Sequence, residues 1–228
     1  LKRLFPDAAI TRIDRDLVKN YDQLQASLDA FNNGANILIG TQMISKGHNF
    51  PNLGLVGVIG VDTMLSFPDY RATERMFQLM TQTAGRAGRD INESKVMIQT
   101  FNPNHYVFHY VKDHNVDDFL DKEMSFRQAL SYPPFKSIVN VIFSAEDQSL
   151  AQSMYAKIKT FNETLTDLDV QAIGPKVAPI EKVSGYYRHN VFYKVAGDDL
   201  DAFKARLVGF PKKRLLRLVV DIDPISLL

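Results

Sequence analysis

Cysteine is absent from the 228 residues, which excludes disulfides and any zinc site built on thiolates. A chain of that composition suits a reducing compartment. No apolar run approaches the ~20 residues that a membrane-spanning helix needs, and the opening Leu1-Lys2-Arg3-Leu4-Phe5-Pro6 has no signal-peptide core. A soluble, cytoplasmic chain without a membrane partner is expected. An initiator methionine is also missing, so a fragment of a longer protein is expected. Net charge is only +1, with −1 over residues 1–131 and +2 over residues 132–228. Bulk charge therefore gives no sign of nucleic-acid binding, and any such contact must come from local patches.

What is present is an ordinary globular balance, 45% hydrophobic and 23% charged, enough for one large core or two small ones. Residues 8–13 alternate as a short strand after Pro6-Asp7. Tyr21, Leu24, Leu28 and Phe31 repeat at helical spacing up to Asn32-Asn33-Gly34. Residues 36–39 and 55–61 are apolar strands ending at Gly40-Thr41 and Asp62, a helix carries Phe77 and Met80, and residues 95–101 alternate again. Strand, helix, strand, strand, helix, strand predicts an α/β domain with a mainly parallel sheet. Asn102-Pro103-Asn104 breaks this rhythm. Helices follow over 105–111 and 116–130, the second stopped by Ser131-Tyr132-Pro133-Pro134-Phe135.

From Lys136 the order changes to strand (138–143), helix (Leu150, Met154, Ile158, Phe161), apolar segments at 170–173 and 177–183 flanking Gly174-Pro175, and a further strand at 191–195. A helix (Leu200, Phe203, Leu207) and a last strand (215–222) close the chain. β-α-β-β-α-β is the order of a ferredoxin-like α+β unit. His105, His109 and His114 have no second cluster of ligands to join, and read as surface or packing histidines.

Two stretches carry chemistry. Residues 81–90 read T-Q-T-A-G-R-A-G-R-D, with Gly85 and Gly88 beside Arg86 and Arg89 where the helical pattern runs out. Glycines permit close backbone approach, and guanidiniums suit bidentate grasp of phosphate. Residues 40–50, G-T-Q-M-I-S-K-G-H-N-F, leave the carboxyl end of a strand, where α/β sheets gather ligands. Thr41 and Gln42 offer short polar groups there, and Lys46-Gly47 makes a cationic turn that a phosphodiester backbone could approach. Later, Gly185-Tyr186-Tyr187-Arg188-His189 reads as a loop between strands that could stack a base while its arginine meets a phosphate. Lys212-Lys213-Arg214 with Arg217 reads as a cationic strip at a strand entry.

The run Gly40-Thr41-Gln42-Met43-Ile44-Ser45-Lys46-Gly47-His48-Asn49-Phe50-Pro51 resembles motif V of the primosomal protein N′ (PriA) family of replication-restart helicases. Gln82-Thr83-Ala84-Gly85-Arg86-Ala87-Gly88-Arg89 resembles motif VI of superfamily 2 helicases, Q-x-x-G-R-x-G-R. Val61-Asp62, Phe67-Pro68-Asp69-Tyr70-Arg71, Glu74-Arg75, Tyr132-Pro133-Pro134-Phe135 and Asp221-Ile222-Asp223-Pro224 are similar to the same family. The resemblance implies a second RecA-like motor lobe, truncated at its start, over residues 1–103. A helical connector over 104–135 and an α+β domain similar to ribosomal protein S10 over 136–228 would follow.

It implies that Gln82, Gly85, Arg86 and Arg89 face ATP held with magnesium mainly by a first lobe. Arg89 is placed first as arginine finger and Arg86 as ground-state γ-phosphate contact, roles that the two could exchange. Asn49 stands where many superfamily 2 proteins place an aspartate near the nucleotide ribose or motif VI. Thr41, Gln42, Lys46 and Gly47 would lie along the DNA backbone, with Tyr187 and Arg188 as a further DNA contact. The chain holds no G-x-x-x-x-G-K-[ST] loop and no D-E-x-H tetrad, and none of the zinc-binding cysteines of the full-length family. It is therefore expected to hydrolyse no ATP alone. Implied partners are forked and single-stranded DNA, single-stranded DNA-binding protein and other primosome proteins in a bacterial cytoplasm. The alternatives are a DNA- or protein-binding module without catalysis, and the lobe of another superfamily 2 translocase.

Overall fold

The computed structural model describes residues 1–14, 16–41, 53–85 and 94–227. They form two units: Leu1–Ser66 with Thr73–Val116, and Phe67–Ala72 with Asp117–Leu228. The second unit thus takes six residues from the middle of the first.

In the first unit, β1 (Ile10–Ile13) pairs in parallel with β2 (Ile37–Gly40), and α1 (Tyr21–Asn32) makes the crossover that parallel strands require. Asn20 caps α1 by accepting from the Gln23 amide at 2.9 Å. Ile13 and Leu28 are buried together, with Leu24, Phe31 and Leu38 packed around them. β3 (Leu55–Val58) is followed by α2 (Val61–Leu65) and α3 (Ala72–Ala84), and pairs in parallel with β4 (Lys95–Ile98). α4 (Tyr106–Lys112) is capped by His105, whose ring nitrogen accepts from the Val107 amide at 3.3 Å.

In this unit two details differ from the sequence reading. The mainly parallel sheet is, among the described residues, two separate parallel pairs. The strand expected to run to residue 61 stops at Val58, because Gly60 takes φ +74° and turns the chain into α2 with Val61 buried at its start. Asp62 therefore sits in a helix. Its carboxylate accepts from the Thr100 hydroxyl at 2.7 Å and the Phe101 amide at 3.1 Å, tying α2 to the segment after β4.

The second unit contains α5 (Val116–Ala129) from Asp117 onward, then β5 (Lys136–Ala145), α6 (Gln148–Gln152) and α7 (Tyr155–Glu163). β6 (Val170–Val183), β7 (Tyr186–Ala196), α8 (Leu200–Leu207) and β8 (Arg217–Ile222) complete it. The strands lie in the order β6-β7-β5-β8, every neighbour antiparallel. Alternation puts Val139, Val141 and Phe143 of β5 beside Val191, Tyr193 and Val195 of β7, where Met154, Ile158, Phe161 and Phe203 of the helices pack. The single helix expected across Leu150 to Phe161 is broken at Ser153, whose hydroxyl donates to the Leu150 carbonyl at 2.7 Å.

The two apolar segments around Gly174-Pro175 are one strand with an irregularity in its register between Ile173 and Lys176. Gly174 takes φ +107° there, and a Cβ would stand 3.0 Å from the Asn190 carbonyl oxygen. Ser184 and Gly185, at φ +50° and +87°, make the tight turn from β6 into β7. That matches the positive-φ pair of a type I′ hairpin. The loop expected over Gly185–His189 is consequently only its first residue: Tyr186 to His189 belong to β7, between β5 and β6.

Candidate functional site

The two motifs of the first unit leave regular elements at their ends. β2 finishes at Gly40, and Gly40 and Thr41 are both exposed. α3 buries Met76, Phe77 and Met80 along one side, which fixes its rotation. Gln82 on its last turn is exposed, and the exposed Gly85 closes the helix with its amide donating to the Thr81 carbonyl at 3.0 Å. Gln42, Lys46, Gly47 and Asn49, and the arginines Arg86 and Arg89, lie outside the described residues. Gln82, Gly85 and Thr41 are thus the described members of the candidate set in this unit. At this helix end the chain offers an exposed carboxamide and, next in sequence, two guanidiniums, donors suited to phosphate oxygens.

Within the second unit, cations pair with aromatic rings. The Arg217 guanidinium lies 3.6 Å from the Tyr186 ring centroid and donates to the Tyr186 hydroxyl at 2.7 Å. That hydroxyl donates in turn to Glu146 at 2.8 Å, which raises the phenol's pKa. The Lys182 ammonium lies 4.3 Å from the Tyr187 ring. Both tyrosines therefore already carry a cation. Arg188 points from the opposite face to Tyr187 by strand alternation and has no ion-pair partner among the described residues. Lys212, Lys213 and Arg214 are exposed, and Lys213 donates to the Ser153 hydroxyl at 3.1 Å.

His189, read with this cluster, does something else. It is fully buried, its Nδ1 is 2.7 Å from the Tyr155 hydroxyl, and its ring stacks on Phe143 at 5.7 Å. Burial lowers its pKa, and Nε2 has no hydrogen-bond partner among the described residues.

A second aromatic cluster was not read from the sequence as a unit. Tyr70, from the six residues contributed by the middle of the chain, stacks on Tyr132 with centroids 5.2 Å apart and planes at 11°. Lys194 of β7 lies 3.8 Å from the Tyr132 centroid and donates to the Leu130 carbonyl at 2.6 Å. Burial and the neighbouring Lys136 lower its pKa. Arg71 lies 4.3 Å from the Tyr70 centroid and donates to the Pro224 carbonyl at 2.7 Å. Arg127 approaches the same ring at 5.1 Å. Asp223 is engaged beside it, accepting from the Ile138 amide at 2.8 Å and the Ser137 hydroxyl at 3.1 Å. The short motifs around Tyr70, Tyr132 and Asp223 are therefore three sides of one structure. Their separation in sequence hid that.

Residues 128–225 match the family described as Primosomal protein N C-terminal domain. Replication restart protein PriA of Bacillus subtilis (strain 168) is 35% identical over 230 residues, covering 98% of this chain and 29% of that protein. The protein of the same name from Borreliella burgdorferi is 35% identical over 237 residues, covering 100% and 35%. That from Thermotoga maritima is 31% identical over 228 residues, covering 100% and 30%. The chain spans about a third of the length of these relatives.

Proposed function

The chain belongs to the replication restart protein PriA family, and on that premise we propose that it is the C-terminal part of an ATP-dependent 3′-to-5′ DNA helicase. In this reading the whole protein recognises and remodels stalled or branched replication forks and begins primosome assembly. Residues 1–103 act as the second RecA-like motor lobe, 104–135 connect, and 136–228 form the C-terminal domain. The antiparallel order β6-β7-β5-β8 supports a ferredoxin-like reading of that domain.

The observation that carries the proposal is the ending of α3. A helix anchored by Met76, Phe77 and Met80 presents the exposed Gln82 and Gly85, and hands the chain directly to Arg86 and Arg89. ATP and its magnesium are held mainly by the first lobe. Arg89 stabilises charge developing on the γ-phosphoryl group, and Arg86 holds it in the ground state. Thr41, Gln42, Lys46 and Gly47 follow one DNA strand as the lobes close and open. The isolated chain hydrolyses no ATP.

Arg89→Ala in the full-length protein tests this. It should retain forked-DNA binding and lose ATP hydrolysis by about 10³-fold or more. Hydrolysis at the parental rate would remove Arg89 from the finger role.

A second reading, a binding module without catalysis, draws on the Arg217–Tyr186 and Lys182–Tyr187 pairs and on Arg188. There the C-terminal domain contacts the backbone of branched or single-stranded DNA, with single-stranded DNA-binding protein and other primosome proteins as further partners. The two readings are compatible within one protein.

A further inference from the structure

A cavity of about 310 Å³ lies against the C-terminal sheet, and all of its lining residues belong to the second unit. By strand alternation Phe192 and Lys194 share one side of β7, while Val191, Tyr193 and Val195 turn to the helices on the other. Ile138 of β5 stands opposite Lys194 in register, and Ile173 of β6 stands opposite Phe192. These four residues line the cavity, with Tyr132 beside them. Organic ligand sites span roughly 300–1,000 Å³ and pair a mainly apolar lining with a few polar groups. This cavity has both properties, at the small end of that range.

Lys194 is its unusual member. The side chain is buried, with the residue 7% exposed, and its ammonium donates to the Leu130 carbonyl at 2.6 Å. It also lies 3.8 Å from the Tyr132 ring centroid. Among the described residues no carboxylate pairs with it. The neighbouring charge that acts on it is Lys136, of the same sign. A buried ammonium ordinarily has an anionic partner, because taking the charge out of water is costly. It also has three donors, of which the Leu130 carbonyl takes one.

The cavity can supply what Lys194 lacks only by admitting it. Exposed Lys176 adds a second positive charge to the lining. Asp69 lines the cavity too, with its Oδ1 accepting from the Arg71 amide at 2.9 Å. Among the described residues no arginine lines it, so no guanidinium fork is on hand for a phosphate. One compact ammonium matches a monovalent carboxylate.

We propose that this cavity binds a small organic acid, its carboxylate on the Lys194 ammonium and its flat apolar body against Phe192, Ile138 and Ile173. The site goes beyond the helicase reading and does not depend on it.

Indole-3-propionate serves as the probe, titrated into the 228-residue chain with its isoleucine δ1-methyl groups labelled for NMR. The Ile138 and Ile173 methyls should shift, with half-saturation at about 1 mM or below for a ligand of this size. The methyl of Ile158, packed on the helical side of the sheet, should stay in place. Indole-3-propionamide, which keeps the shape without the charge, should bind about tenfold more weakly. Lys194→Met, which keeps an unbranched stem, should weaken the acid about tenfold and leave the amide nearly unchanged. No shift of Ile138 and Ile173 at 10 mM acid overturns the site, as does equal affinity for acid and amide. Parental affinity for the acid in Lys194→Met overturns the role of Lys194. Should that variant fail to fold, the acid-against-amide comparison in the parent decides. Tighter binding of adenosine 5′-monophosphate than of the acid would make this a phosphate site and overturn the carboxylate assignment.

Discussion

Replacing Gly174 with alanine isolates one backbone constraint on the C-terminal sheet. Its φ of +107° is disfavoured for any L side chain, and an added Cβ would meet the Asn190 carbonyl oxygen at 3.0 Å and the Lys176 amide nitrogen at 3.2 Å. Those neighbours are ladder backbone of β6 and β7 and cannot rotate away. Gly185 offers the matched control, since its φ is +87° and its Cβ would meet nothing within 4 Å. Gly185→Ala should cost about 1–2 kcal/mol, the conformational cost alone. Gly174→Ala adds displacement of the register irregularity and should cost about 3–4 kcal/mol, near the upper end for a strained site that also clashes.

The assay is urea denaturation of the chain followed by tyrosine fluorescence, as tryptophan is absent. At a common m-value the two midpoints should separate in that order. A Gly174→Ala midpoint equal to or above that of Gly185→Ala would refute the steric reasoning. It would mean that the strand around residue 174 yields easily.

His189 and the cationic strip are open to test as well. His189 is held neutral by burial, with its pKa below the ordinary 6.5 and only Glu181 opposing. As pH falls below 6.5 the unfolded chain takes up a proton that the folded chain resists, so stability should drop on acidification. His189→Gln should flatten the dependence of the thermal midpoint on pH from about 6.5 down to about 5, where an ordinary histidine charges. An unaltered slope would count against His189 as its source. Charge reversal at Arg188 and Lys213 together should weaken forked-DNA binding and reduce the salt slope by about 1 for each phosphate no longer neutralised. Binding with the same affinity and slope would leave the strip as solvated surface.

Much of the second unit was legible because its strands alternate. Val139, Val141 and Phe143 announce a buried face, as do Val191 and Val195, and the predicted order of strands and helices differs from the observed one only where the first helix is split at Ser153 and the two apolar segments around Gly174-Pro175 join as β6. Errors fell where a single residue redirects the backbone. Gly60 ended a strand that apolar content alone would have carried to Val61. The Ser184-Gly185 turn was short enough to leave Tyr186 to His189 in a central strand. Hydrophobic periodicity cannot tell a loop from a strand whose polar residues are satisfied by cations, as Tyr186 and Tyr187 are.

By itself the sequence determined the family, through motifs whose residue types and spacing are local: the Gly40–Phe50 run and the Gln82–Arg89 run. Local chemistry of that kind is written in consecutive residues and needs no fold to be read. Only the tertiary structure brought Tyr70 to Tyr132, far apart along the chain, and set Lys194 against the pair. Long-range stacking and cation–π contacts depend on which strands and turns converge. That convergence is decided by packing rather than by sequence spacing.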